Sequence, residues 1–403
     1  MHTQPLALTD KQKLYLAIMV NFMLPLEGMS TDIYLPSLPA INVYFNIDQA
    51  LAQLTVTAYV TAMGISQLIA GPISDAYGRR PLLFFSVTTQ LIAVLGILFS
   101  STIYEMIFFR FLQGAGAAFM MVPARAIIND VFQGHELKKQ FNYCTISFAL
   151  GPIVAPFVGG YLQQYFGWQA NFIFILVYIS LVILLLLFMY KETQVNKRHF
   201  SLHHLWKNYH IILSNQRFLT CALFVGMAWG YGTLFNITGP FIVQNSLHYS
   251  AITYGHVALL MGLAYFLGNT SNRILFRYDE DLKTQLALWI SFLTVITMLI
   301  CTQAGILNLL TLIIPTFIIM FLSGFIFPIY VGECLIIFSD LAASANACLF
   351  SLIWLMFSGF TLIAILLKAQ SLVPLAIAYS TVSIVSILFY YFVLLLITKK
   401  FKS

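Results

Sequence analysis

Three ionisable side chains sit inside long apolar runs, where their presence demands a reason. Glu27 and Asp32 share the first run and Arg110 lies in the fourth. An arginine at membrane depth costs at least about 2.5–3.5 kcal/mol, and more without a partner. A carboxyl group moved from water into low dielectric holds its proton more tightly, so it can load and unload protons near neutrality. Glu27 and Asp32 are five residues apart, about 140° and 7.5 Å on a helix. They do not share one face squarely: either both border a wide cavity, or one sits near the outer end. Asp32 shares a helical face with Asn21, Pro25 and Gly28, which reads as a polar, cavity-facing stripe. Arg110 opens the stretch Arg110-Phe111-Leu112-Gln113-Gly114-Ala115-Gly116-Ala117-Ala118, about two turns into its run. It is either a buried cation facing a polar cavity, with Gln113 beside it, or a side chain that snorkels to the headgroups. The small residues that follow let its helix pack closely on a neighbour.

The elements that must hold these groups are membrane helices. The chain has 403 residues, 60% hydrophobic and 8% charged, against roughly 25% charged in soluble domains. Continuous runs rich in Leu, Ile and Phe recur at 14–34, 50–71, 82–101, 104–124, 140–160, 170–190, 217–240, 251–271, 283–303, 307–330, 343–366 and 372–397. They read as twelve helices of an all-α polytopic membrane protein, not as the alternating strands of a barrel. The polar start leads into a first run that holds Glu27 and Asp32 without a small-residue cleavage site, so it is expected to be a retained span and not a signal peptide.

Basic residues set the expected topology. Of the 20 Lys and Arg, 18 fall on one side of a twelve-span arrangement, including Arg79 and Arg80 in loop 2–3 and Arg125, Lys138 and Lys139 in loop 4–5. Lys368 alone falls opposite, and Arg110 lies within a span. Cytoplasmic loops are positive, so both termini are expected in the cytoplasm. The longest connection, 191–216, separates six spans (1–190) from six (217–403). Within it Leu202, Leu205, Trp206, Tyr209 and Leu213 fall at helical spacing, which predicts an amphipathic helix on the cytoplasmic membrane surface.

Other chemistries find no support. The formal charge of +6 comes from basic residues spread over short loops, which is no nucleic-acid footprint. The five cysteines are scattered without a disulfide framework or metal spacing, and the four linker histidines read as solvated surface residues, with a metal site as the alternative. There is no His-Glu-x-x-His, no phosphate-binding glycine loop and no pair of intramembrane aspartates on separate spans, so neither an enzyme, a cofactor nor an ATP-driven pump is expected. Trp229, Tyr231, Phe235, Tyr265 and Trp354 either line a cavity for an aromatic or cationic solute or pack between helices.

The polar stretch between spans 2 and 3 carries a resemblance. Gly71, Asp75, Gly78, Arg79 and Arg80, in Gly-x-x-x-Asp-x-x-Gly-Arg-Arg, look like the signature loop of the major facilitator superfamily. Here it is expected as a tight turn from Gly71 to Pro81. Arg110-x-x-Gln113-Gly-x-Gly resembles that superfamily's span-4 motif, whose arginine is linked to proton coupling. Gly151, Pro152, Ala155, Pro156, Gly159 and Gly160 resemble the antiporter motif of drug exporters, with alanine at one glycine position. The stretch Ser30–Pro39, Pro72–Pro81 and Lys191-Glu192-Thr193 are similar to the bicyclomycin-resistance (Bcr/CflA) branch of drug:proton antiporters. The second half holds a decayed copy of the signature loop, in which Gly268 matches Gly71, Arg277 matches Arg80 and Asn272 stands where Asp75 stands.

The resemblance implies two pseudo-symmetric six-helix bundles that rock to give alternating access from the bilayer midplane. It implies a monomeric antiporter of the bacterial inner membrane, exchanging protons for small amphipathic compounds such as drugs. Glu27, Asp32, Arg110 and Gln113 would form the proton-coupling and substrate site. Glu27 is an acid beyond the branch's usual pattern, so a dedicated carrier of a metabolite or siderophore is the alternative.

Overall fold

The computed structural model describes residues 8–193, 201–275, 277–367 and 371–400; among them there is no β-strand. Lys197, Arg198, Lys368 and Lys402 lie outside the described residues. The helices are α1 (Asp10–Asp32), α2 (Leu38–Tyr44), α3 (Gln49–Tyr77), α4 (Arg79–Leu98), α5 (Ile103–Val131), α6 (Gly134–Phe166), α7 (Trp168–Met189), α8 (Leu202–Leu213), α9 (Gln216–Phe241), α10 (Ala251–Ile274), α11 (Glu280–Gln303), α12 (Leu309–Ile337), α13 (Ala342–Leu366) and α14 (Leu372–Lys400). Twelve of these elements are long and apolar enough to cross a membrane, counting α1 and α2 together. The protein is therefore a multi-pass membrane protein, with six spanning helices before α8 and six after it.

Polar caps set many of the boundaries. Thr9 with Gln12 and Thr102 with Glu105 form capping boxes at α1 and α5, and Asp48, Asn215, Ser250 and Asn308 cap α3, α9, α10 and α12. Several helices outrun their apolar stretches, because hydropathy marks the oil-exposed part of a helix and not its hydrogen-bonded length. Two expectations change as a result. The turn expected over Gly71–Pro81 is helical through Tyr77 and resumes at Arg79, so Gly78 alone, at φ 112°, makes the break. Arg125 belongs to α5 and not to a loop.

Two proline breaks inside spans are answered by tyrosines of other helices. Pro72 has no N–H to give Leu68, and the Tyr209 hydroxyl of α8 donates to that carbonyl at 2.5 Å. Pro240 likewise frees the Asn236 carbonyl, which accepts from Tyr254 at 3.5 Å. The linker helix expected on the membrane surface is present, but its apolar side docks on protein. Tyr209 and Ile212 are buried in a cluster with Phe218, Cys334 and Leu349, whereas Trp206 and Leu213 are exposed. The buried face is rotated from the expected one, because the Leu68 carbonyl and α13 supply the partner surface.

The two sets of six helices repeat one packing device. Gly114 of α5 lies against the Tyr59 carbonyl of α3, and Gly324 of α12 lies against the Tyr265 carbonyl of α10. At each place a Cβ would overlap backbone, so only glycine admits this approach. The decayed loop of the second half is bonded too: Lys283 of α11 donates to Asn272 at 3.1 Å.

The halves meet along two helix pairs. Between α3 and α13, Thr57 donates to Thr361 at 2.8 Å, Thr61 and Ser358 hydroxyls are 2.6 Å apart, and Ser351 donates to the Gly64 carbonyl at 2.7 Å. Between α6 and α10, Gly160 abuts the Ala251 carbonyl, Gly255 abuts that of Pro156, and Gly262 abuts Ile153. Toward the α2 end, Gln53 donates to the Ile237 carbonyl at 3.0 Å and Gln244 to that of Pro36 at 2.9 Å.

Candidate functional site

The capping box at Thr102 starts α5 two turns before Arg110 and leaves Glu105 exposed, bonded to Ser101 and Thr102. That register drives Arg110 into the interior of the first half, where it is 0% exposed. It does not snorkel. Its guanidinium lies between two rings, 4.4 Å from the Tyr34 centroid and 4.3 Å from that of Tyr59. Each desolvated cation–π contact contributes about 2 kcal/mol. Nη1 donates to the Ser30 carbonyl at 2.9 Å and to Gln113 Oε1 at 2.7 Å. Nε and Nη2 have no hydrogen-bond partner among the described residues, nor has Gln113 Nε2. The wide polar cavity expected beside Arg110 is, at this point, an aromatic clamp.

Asp32 ends α1 at 7% exposure, within electrostatic reach of Arg110. Glu27 is 1% exposed, and neither carboxylate oxygen has a hydrogen-bond partner. Among the described residues neither acid is in a direct salt bridge. The charge that Glu27 feels is that of Arg125. Arg125 is half-buried and stacks on Phe148 of α6 at 5.6 Å and on Phe350 of α13 at 5.1 Å. Glu27 and Asp32 thus face two different cations of α5, as their 140° separation requires. Sequence reasoning missed Arg125 because it follows Pro123 near the end of an apolar run. The available signal was the uninterrupted helix pattern through Ile127 and Ile128.

The stripe of Asn21, Pro25 and Gly28 is not cavity-facing, which corrects the expectation. Ser147 of α6 donates to Asn21 Oδ1 at 2.9 Å, Gly151 abuts the Pro25 carbonyl, and Gly28 abuts the Pro152 ring. Gly159 continues this contact against the Ile33 carbonyl. The stripe is polar because small and carbonyl-exposing residues allow close packing of α1 on α6. Gly151, Ala155, Pro156, Gly159 and Gly160 are buried, and Pro152 is half-buried. This stretch of α6 is therefore pressed between α1 and α10.

The signature-loop residues form a separate network. Arg79 is buried; it donates to Asp75 at 2.5 Å, to Ser74 at 2.8 Å and to Asp130 at 3.3 Å. Thr193 donates to Asp130 at 3.0 Å. Glu192 accepts from the Arg80 backbone N–H at 3.0 Å, placing a carboxylate on the first turn of α4. Gly78 is held beneath that carboxylate, while Gly71 lies beside Val122 and Arg80 points over Phe84. Asp130 and Glu192 were not recognised as members, since each is distant in sequence from the loop it completes.

The aromatic residues of the second half converge. Trp229 donates to the Tyr265 hydroxyl at 3.1 Å, and its ring lies 5.8 Å from Trp354 and 6.0 Å from Phe327. Tyr231 faces Tyr379 and Phe235 stacks on Tyr254, so both serve helix packing.

Comparison with known proteins places this architecture. The family model described as Major Facilitator Superfamily matches residues 21–390. The chain belongs to the Major Facilitator Superfamily. It is a transporter and not an enzyme. It is 32% identical over 326 residues to YdgK of Bacillus subtilis, described as an uncharacterised MFS-type transporter, covering 79% of this chain and 80% of that protein. It is 28% identical over 284 residues to the bicyclomycin resistance protein homolog of Haemophilus influenzae, covering 68% of this chain and 69% of that protein. Over 337 residues it is 25% identical to multidrug resistance protein D of Escherichia coli, covering 82% and 84%. Among solved structures, a D-xylose–proton symporter superposes with a TM-score of 0.73 at 13% identity, over 94% of this chain and 97% of that one. A POT family transporter superposes at 0.76 with 11% identity, over 95% and 96%. At such identities these MFS structures establish the shared fold alone.

Proposed function

We propose that this MFS protein is a proton-coupled antiporter that exports small amphipathic compounds across the bacterial inner membrane. The observation that carries the reading is Glu27, whose two carboxylate oxygens lie in the protein interior without a hydrogen-bond partner. Burying an uncompensated charge costs several kcal/mol. A proton taken up at that oxygen removes the cost, and an approaching polar solute or water restores ionisation. Asp32 is the second acid of the same pathway, with Arg110 as its cation and Gln113 fixing the guanidinium. Proton and substrate would compete for this region. Gly78 and the Arg79 network hold the turn, and the α3–α13 and α6–α10 contacts close one end of the molecule while the other end admits the solute. The concentration of Lys and Arg on one side supports a cytoplasmic location for both termini. The names borne by two relatives, bicyclomycin resistance and multidrug resistance, support a drug-like substrate.

The test is transport of a compound panel by purified protein in liposomes with an imposed pH gradient. Wild type should move at least one amphipathic compound against its concentration, and Glu27→Gln and Asp32→Asn should each abolish that movement. Full transport by either variant removes that residue from the mechanism. Equal transport with and without the gradient removes the proton.

A further inference from the structure

Buried charge in this protein is sparse enough to be summed. Among the described residues five charged side chains are buried: Glu27, Asp32, Arg79, Arg110 and Lys283. Arg79 is answered by Asp75 and Asp130, and Lys283 bonds to Asn272, both where a helix begins. The other three belong together with half-buried Arg125, because Asp32 faces Arg110 and Glu27 faces Arg125. The other titratable groups coupled to this set, the phenols of Tyr34, Tyr59 and Tyr254 and the thiol of Cys144, are uncharged at neutral pH. The set therefore sums to zero when both acids are ionised, and to one positive charge when either binds a proton.

We propose that this balance makes the site select solutes without net charge, uncharged or zwitterionic, and reject lipophilic cations. The proposal rests on the transport reading and narrows its substrate class. A neutral solute occupying the ionised site leaves it balanced. A monovalent cation leaves an uncompensated positive charge at membrane depth in every protonation state of the two acids. Such a charge weakens occupancy about a hundredfold. Arg125 is the residue that decides the sum, since without it the ionised set carries one negative charge and matches a cation. It lies on the seam between halves, stacked on Phe350 across the interface, so its charge sits where the two halves meet.

The experiment measures binding and gradient-driven transport in proteoliposomes for a panel of uncharged, zwitterionic and monocationic amphipaths, with chloramphenicol and tetraphenylphosphonium as end members. Wild type, Arg125→Gln and Arg125→Lys are compared. Wild type should favour the neutral compounds, Arg125→Gln should shift the preference about a hundredfold toward cations, and Arg125→Lys should keep the wild-type order. Should Arg125→Gln fail to fold, Glu27→Gln, read by binding alone since it is not expected to transport, supplies the opposite sign: its set is positive, and discrimination against cations in binding must increase. Tetraphenylphosphonium bound by wild type as tightly as the neutral compounds overturns the inference while leaving transport intact. Arg125→Lys behaving like Arg125→Gln overturns it as well. If no compound is moved or bound by any variant, the transport reading falls and this inference falls with it.

Discussion

Removing the hydroxyl ladder between α3 and α13 should separate the two halves at the end of the molecule that bears α2. The ladder consists of Thr57 to Thr361, Thr61 to Ser358 and Ser351 to the Gly64 carbonyl, at 2.8, 2.6 and 2.7 Å. Interhelical hydrogen bonds of membrane proteins contribute about 0.6 kcal/mol each. Three of them hold the apposed state by about 2 kcal/mol, a factor of roughly 20–30 in population. Opening the ladder strands few donors. Thr61 keeps a bond to the Thr57 carbonyl at 2.7 Å, Thr361 keeps one to the Ser358 carbonyl at 2.7 Å, and Thr57 has the Gln53 carbonyl at 3.5 Å. The triple variant Thr57→Val, Thr61→Val, Ser351→Ala should therefore fold, and its apposed-to-separated ratio should fall by that factor. Pulsed EPR between spin labels at Val43→Cys and Ser250→Cys, both exposed positions, reads the separation, with half-buried Cys301 replaced by serine. A distance distribution identical to that of the parent protein would refute the ladder as a latch.

Glycine packing and the linker helix give two further tests. Gly159→Ala places a methyl group on the Ile33 carbonyl and should lower stability in detergent by about 1–3 kcal/mol, whereas Gly359→Ala, with open space around it, should leave the melting temperature nearly unchanged. Equal melting of the two variants would contradict the close approach of α1 and α6. Tyr209→Phe removes the donor that answers the Leu68 carbonyl freed by Pro72. It should release α8 by about 1 kcal/mol, seen as roughly fivefold faster amide exchange across Leu202–Leu213 with the spans unaffected.

The fold was legible because oil leaves a coarse mark. Runs such as Leu82–Ser100 carry no charge over a membrane's width, and no folded context is needed to read them. The helix ends were less legible. Arg125 and Asp130 both belong to α5 and lie beyond the apolar stretch that announced it. The site was half legible. Glu27, Asp32 and Arg110 stood out because each violates its surroundings, and all three side chains are buried. Their partners did not stand out. Tyr34 and Tyr59 look like any aromatic in a span, yet they enclose the Arg110 guanidinium from two sides. The stripe of Asn21, Pro25 and Gly28 was misread because helical periodicity says which residues share a face and cannot say what that face meets. A neighbouring helix rich in glycine leaves the same polar trace as a water-filled cavity.

That same stripe connects the acids to the seam between halves. Helix α6 has backbone contact on both sides: Gly151 and Gly159 against α1, Gly160 against α10, and Gly255 of α10 against Pro156. Side-chain packing can absorb a displacement by changing rotamers, but a carbonyl resting on a glycine Cα has no rotamer to change. A shift of α10 is therefore handed to α6, and from α6 to the part of α1 between Pro25 and Ile33, the segment that holds Glu27 and Asp32. The prolines at 25, 152 and 156 sit within these contacts, where a missing backbone hydrogen bond lets a helix bend without breaking others. What the structure gives these α6 positions is close packing. They contribute no titratable group; in the proposed rocking of the halves they would carry any displacement to the acids of α1.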